Sequence, residues 1–205
     1  MTEINRQKRI ILASSSRYRK ELLSRLQFSF EVMVPNLDES ALLNETPQAT
    51  AMRLAEQKAR TIASLITLSP DTLIIGSDQV ATLDNVQIGK PGNHQNALAQ
   101  LQMMRGRDVI FHSALCVYQH RVPTPFIQTE NVQTIVRFRD LPDRELEAYL
   151  HIEQPYDCAG SAKNEGLGIA LIERIDSSDP TALTGLPLIT LTGMLRNAGV
   201  SFFGS

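Results

Sequence analysis

Leu73-Ile74-Ile75-Gly76-Ser77-Asp78-Gln79-Val80 is a branched apolar run interrupted by a glycine, a serine and an aspartate. The apolar residues predict a buried strand, and Gly-Ser-Asp predicts a turn that leaves a carboxylate exposed where the strand stops. In open α/β sheets, ligands gather outside the carboxyl ends of strands, so Asp78 stands where chemistry is usually found. From these eight residues alone, a solvated turn aspartate is the simpler reading. The rest of the chain decides between the two.

Strand and helix patterns alternate along the whole length, which predicts an α/β sheet. Arg9 to Ala13 is a strand candidate stopped by Ser14-Ser15-Ser16, and Ser16 is placed to cap a helix carrying Leu22, Leu23 and Leu26 inward. Strand, serine-rich turn and helix together leave free N–H groups and a positive dipole end for an anion. Arg17, Arg19 and Lys20 crowd that first turn, where cations oppose the helix dipole. They make either a solvated basic helix end or an anion site.

Phe30 to Val34 predicts a second strand, running into Pro35-Asn36-Leu37-Asp38-Glu39. Thr46-Pro47 has the form of a helix N-cap followed by proline, with Met52, Ala55, Ala59, Ile62 and Ile66 as the apolar stripe. Lys58 lies at the margin of that stripe, where a lysine usually snorkels to water. Gln87 to Gly92 predicts a loop with Lys90 between a glycine and a proline, and Asn93 a cap for a helix with Ala97, Leu98, Leu101 and Met104 inward. Arg107 to Tyr118 and Asn131 to Phe138 predict two β segments. Leu141-Pro142-Asp143 opens a further helix, Leu167 to Ile175 predicts a strand, and a last helix runs from near Pro187 to Gly199.

The chain of 205 residues has room for one sizeable α/β domain, taken here as a single unit over 1–205. Twenty basic against 22 acidic side chains give a net charge of −2, with no clustered basic run. That disfavours a nucleic-acid polymer or a membrane surface as partner and suits a small anionic ligand. Two cysteines without a pairing motif, a polar start over residues 1–8 and no long apolar segment predict a reducing, cytoplasmic setting.

No phosphate loop, G-x-G-x-x-G or G-x-S-x-G elbow is present, and the four histidines show no metal-ligand spacing along the sequence. What remains at strand-to-helix junctions is Ser14, Arg19, Glu39, Lys58, Asp78 and Lys90. Three cations and two carboxylates suit hydrolysis of a phosphoanhydride. The cations neutralise phosphates, and the carboxylates hold a divalent ion and activate water.

Leu12-Ala13-Ser14-Ser15-Ser16-Arg17-Tyr18-Arg19-Lys20, Leu37-Asp38-Glu39, Glu56-Gln57-Lys58-Ala59, Gly76-Ser77-Asp78-Gln79-Val80, Gly89-Lys90-Pro91 and Cys158-Ala159-Gly160-Ser161 occur in that order. Together they resemble the Maf family of nucleotide pyrophosphatases from Ile10 to about Phe202. Arg17 and Lys20 depart from the family's usual proline and arginine. The resemblance implies a mixed, twisted sheet flanked by helices, with two lobes around a deep cleft, as in inosine triphosphate pyrophosphatases. It implies hydrolysis of a nucleoside triphosphate to monophosphate and pyrophosphate with a divalent cation (Mg²⁺, Mn²⁺ or Co²⁺), and a homodimer. Asp78 matches the proton acceptor, Ser14, Arg19, Lys58 and Lys90 the phosphate positions, and Glu39 with Asp78 the metal position.

Within the family, Ser77 to Val80 and Cys158 to Gly166 resemble the branch acting on 7-methyl-GTP rather than the one acting on dTTP and UTP. Its specificity positions fall on Tyr18, Gln79 and Glu165. Methylation at N7 makes guanine cationic, so an aromatic face and a carboxylate are suitable partners. A helix-surface tyrosine and a solvated loop acid are the competing reading of Tyr18 and Glu165. The family is also associated with arrest of septum formation, so a nucleotide-binding regulator is the alternative from a different class.

Overall fold

A computed structural model describes residues 8–203 apart from 68, 70 and 122. Of the polar start over residues 1–8, residues 1–7 lie outside the described residues. Those described form β1 (Arg9–Ala13), α1 (Arg17–Ser24), β2 (Glu31–Met33), α2 (Pro47–Leu65), β3 (Thr72–Leu83), β4 (Val86–Ile88), α3 (His94–Met104), β5 (Asp108–Gln119), β6 (Phe126–Phe138), α4 (Asp143–Glu153), β7 (Ile172–Ser177) and α5 (Leu188–Asn197). The helix starts follow the caps read from sequence: Ser16, Thr46 and Asn93 each accept a backbone N–H three residues on.

The seven strands make one mixed sheet in the order β2-β1-β3-β5-β6-β7, with β4 also on β3. β1 runs parallel to β2 and β3, and every other pairing is antiparallel. β5 pairs along Leu73 to Thr82 and so fills one edge of β3. The other edge is shared. β1 pairs up to Gly76, and β4 takes over only at Ala81. Ser77 to Val80 therefore lie at a gap in the sheet, just beyond the carboxyl end of β1.

Side chains alternate across β3, as strand geometry requires. Leu73 and Ile75 join the core under α1 and α5, while Ile74 and Val80 join the core under α2. Past the gap, Ala81 and Leu83 belong to a third cluster, with α3 and α4. Two groups of helices thus cover the two ends of the long strands and leave a cleft between them.

Several expectations give way here. The strand does not turn at Gly76-Ser77-Asp78, because unbroken pairing with β5 satisfies the backbone through Thr82. Gly76 instead serves packing: a Cβ there would lie 2.0 Å from the Ala55 carbonyl oxygen, so α2 crosses almost in backbone contact with β3. Asp78 is buried rather than exposed, and Lys58 does not snorkel, being 5% exposed. The predicted loop from Gln87 begins inside β4, and β6 starts five residues before Asn131. Leu167 to Ile175 is not one strand. Leu167–Leu171 is a 3₁₀ turn whose first N–H is captured by Glu153 Oε2 at 2.8 Å, and β7 follows it.

A clamp on α2 organises the loop before it. Both Glu45 oxygens receive Arg53, at 2.7 and 2.8 Å, and the same guanidinium donates to the Ser40 carbonyl at 3.0 Å. Thr50 Oγ1 and the Leu42 N–H also donate to Glu45.

Gly76→Ala must push α2 off the sheet, and overpacking of this kind costs about 1–3 kcal/mol, read as a lower urea midpoint. The bonds from Arg53, with those from Leu42 and Thr50, hold the Glu45 carboxyl down from 4.5 to about 2, against the opposing effect of burial. A depressed folded-state value stabilises above the unfolded pKa and is lost as pH falls toward the folded one. Glu45→Gln should therefore lower the urea midpoint at pH 7, with the difference from the parent shrinking between pH 4.5 and 2. A difference that stays constant with pH would remove the clamp's ionic role.

Candidate active site

Ser14 lies one residue past β1, with its Oγ accepting the Ser16 N–H at 3.1 Å. This folds the serine turn directly into α1 and aims the first turn of that helix at the gap in the sheet. Arg19, from the same turn, donates through Nη1 to Ser14 Oγ at 3.4 Å and through Nε to the Gly185 carbonyl at 3.0 Å. That carbonyl also accepts the buried Ser77 hydroxyl at 3.0 Å. Gly185 has φ +104, which L side chains rarely adopt. The loop carrying it is fixed by buried Asp179, whose Oδ2 accepts the Ile189 and Thr190 N–H groups at the start of α5. Three of the five Arg19 N–H donors remain to offer a phosphate in a preset plane.

Asp78 projects from the opposite face of β3, toward α2. Lys58 Nζ lies 2.6 Å from Asp78 Oδ1 and 2.9 Å from Glu39 Oε1. Burial pushes the Asp78 carboxyl above its usual range. The charges of Lys58 and Arg19 and the Lys58 bond pull it back, and Glu39 adds to the rise. Burial likewise lowers Arg19, with Asp78 and Glu39 opposing. Glu39 itself is largely exposed, on the loop tied to α2 by Arg53.

Two carboxylate oxygens already converge on one positive centre, the Lys58 ammonium. Hard oxygens of that kind, completed by phosphate oxygens and water, are the donors Mg²⁺ takes. Glu39 and Asp78 therefore fit a divalent ion.

Ser14, Tyr18, Arg19, Glu39, Lys58, Asp78, Gln79, Lys90 and Glu165 all line one cavity of about 510 Å³. Of the first-turn cations, Arg17 lines it as well, whereas Lys20 does not. Lys90 is exposed and reaches the cavity from the loop before α3, whose Gly92 N–H is tied to the Tyr156 carbonyl at 3.0 Å. Tyr18 carries the Arg17 guanidinium 4.8 Å from its ring centroid, and Arg17 also donates to its hydroxyl. The Gln79 amide nitrogen serves Ser113 Oγ and the carbonyls of Ala182 and Leu183, at 2.9–3.1 Å. With its donors committed, only Gln79 Oε1 is left to meet a base. Glu165 is exposed at the rim.

Cys158 also lines the cavity, but burial and neighbouring Asp157 push its thiol up to about 11, which favours the thiol over the reactive thiolate. Sequence reasoning missed the Gly185 carbonyl, the Asp179 brace and the Arg53 clamp. Gly185 lay in plain view beside Pro187. The other two are long-range side-chain contacts with no signature in spacing.

The family profile described as Maf-like protein matches residues 9–198. The chain is 62% identical over 197 residues to a protein of Burkholderia pseudomallei (strain 1710b) named 7-methyl-GTP pyrophosphatase, covering 96% of this chain and 91% of the other. A protein of the same name from Paraburkholderia xenovorans (strain LB400) is 60% identical over 202 residues, 98% of each chain. A third, from Cupriavidus metallidurans (strain CH34), is 61% identical over 196 residues, 96% of each. With the mixed sheet and the cavity at its gap, these similarities establish that the chain belongs to the Maf family.

Proposed function

We propose that this protein hydrolyses 7-methyl-GTP to 7-methyl-GMP and pyrophosphate. One observation carries the reading: cations for a triphosphate, a buried carboxylate and base-reading groups line the same cavity. The names of the relatives point to the same substrate.

In this reading the triphosphate lies at the first turn of α1, where Arg19 grips one phosphate in a plane and Ser14 and the helix N–H groups bind alongside. Lys58 from α2 and Lys90 from the loop before α3 supply point charges. Asp78 accepts the proton of the attacking water. The water oxygen bonds to phosphorus, the α–β anhydride bond breaks, and pyrophosphate leaves with the negative charge that the cations hold. A raised carboxyl pKa suits this role, because a stronger base takes a proton more readily. A divalent cation held by Glu39 and Asp78 would add neutralisation of the phosphates and acidify bound water. At the other end Tyr18 offers its ring to the cationic base, while Glu165 and Gln79 Oε1 accept from the N1 and N2 donors of guanine. The two unpaired cysteines suit a reducing cytoplasm. A homodimer is part of the same family-based reading.

Turnover of the purified protein on 7-methyl-GTP, GTP, dTTP and UTP, with and without Mg²⁺, tests the reading. The methylated nucleotide should give the highest kcat/KM, and a chelator should abolish pyrophosphate release. Equal rates on dTTP would assign the chain to the pyrimidine branch, and tight binding without turnover would make it a regulator. Asp78→Asn keeps an acceptor for Lys58 but removes the base. It should cost at least ~10²-fold in kcat while leaving nucleotide affinity within a few-fold. Full activity in that variant would take Asp78 out of the chemistry.

A further inference from the structure

The histidines that look dispersed along the sequence do not stay so. His94 opens α3, and Glu147 and His151 lie one turn apart on α4. His94 Nε2 is 2.7 Å from Glu147 Oε2, and His151 Nε2 is 3.9 Å from the same oxygen. One donor atom from each residue lies within 4.8 Å of the others. In a tetrahedral zinc shell with bonds of 2.0–2.1 Å, donors sit about 3.3 Å apart. These atoms bracket that spacing, and His151 is exposed enough to swing the remainder. The other His94 nitrogen, Nδ1, lies 3.0 Å from the Tyr156 hydroxyl. With Nε2 on a metal, the Nδ1–H would donate to that hydroxyl, the partner a metal-ligating histidine needs for its other ring nitrogen. None of the three residues lines the cavity.

We infer that His94, Glu147 and His151 form a second metal site, selective for an imidazole-preferring ion such as Zn²⁺ over Mg²⁺. Two imidazoles and one carboxylate are the mixed donors zinc takes, whereas Mg²⁺ wants oxygen alone. Three protein ligands at the surface leave the fourth position to water. Binding displaces the proton shared between His94 Nε2 and Glu147 to solvent. The ion staples the start of α3 to the last turns of α4. Through the Gly92–Tyr156 bond it braces the two segments that bring Lys90 and Asp157-Cys158 to the cavity wall.

The test uses untagged, chelator-stripped protein without nucleotide, so it stands apart from the substrate assignment. Titration with ZnCl₂ in a calorimeter should show one tight equivalent, and thermal unfolding should move to higher temperature, while any response to MgCl₂ should be the same with and without His94 and His151. His94→Gln with His151→Gln should lose both effects while retaining nucleotide turnover. Tyr156→Phe, a milder change, should weaken zinc ~10–100-fold. Asp78→Asn should bind zinc like the parent. No zinc uptake by the parent overturns the proposal. So does undiminished uptake by the histidine double variant, or loss of uptake in Asp78→Asn, since either would place the ion elsewhere.

Discussion

A buried lysine ammonium held between one buried carboxylate and one exposed carboxylate is the interaction on which this structure turns. Lys58, Asp78 and Glu39 come from a helix, a strand and a loop, and the charge of Lys58, helped by Arg19, offsets the burial of Asp78. Removing one member of a buried pair leaves the other uncompensated, at a cost of about 3–5 kcal/mol. The trio persists because α2 sits against β3 with Ala55 and Ala59 facing Gly76, so the ammonium arrives at the carboxylate without stretching. Small residues on the helix and none on the strand set the distance between the charges.

The sheet supplies the opening. A strand of 12 residues needs partners along both edges, and β3 has them everywhere except between Gly76 and Ala81 on one side. There the serine turn and α1 stand in for a strand and bring N–H groups, Ser14 and Arg19 instead of a ladder. Asp78 reaches the cavity from within a continuous strand whose other edge is locked to β5. The proposed base, so placed, has little freedom to wander, as productive catalytic geometry requires.

Much of this was legible in the sequence because local chemistry wrote it. Ser16, Thr46-Pro47 and Asn93 announce their helices by capping chemistry alone, and the packing agrees. The apolar run at Leu73 marks a buried strand correctly, yet it misplaces that strand's end. Gly76 reads as a turn signal when its purpose is to admit a helix, and a single sequence does not separate the two. Lys58 misleads for a similar reason: helical spacing puts it at the margin of the apolar face, and only the tertiary partner explains its burial. Leu167 to Ile175 alternates like a strand, but Glu153, itself held by Lys163 at 2.7 Å, takes the first backbone N–H and coils the segment instead. His94 and His151 are separated by 57 positions in the chain and by 4.9 Å between ring centres. Only the packing of α3 on α4 makes them neighbours.

Helix α2 carries Lys58 on one turn and Arg53 little more than a turn earlier, and Arg53 holds the loop that ends in Glu39 by the Ser40 carbonyl. Lys58 and the loop carrying Glu39 are therefore mounted on the same beam. Any tilt of that beam carries both together, so the spacing between positive and negative walls survives small motions that would disturb two separately anchored loops.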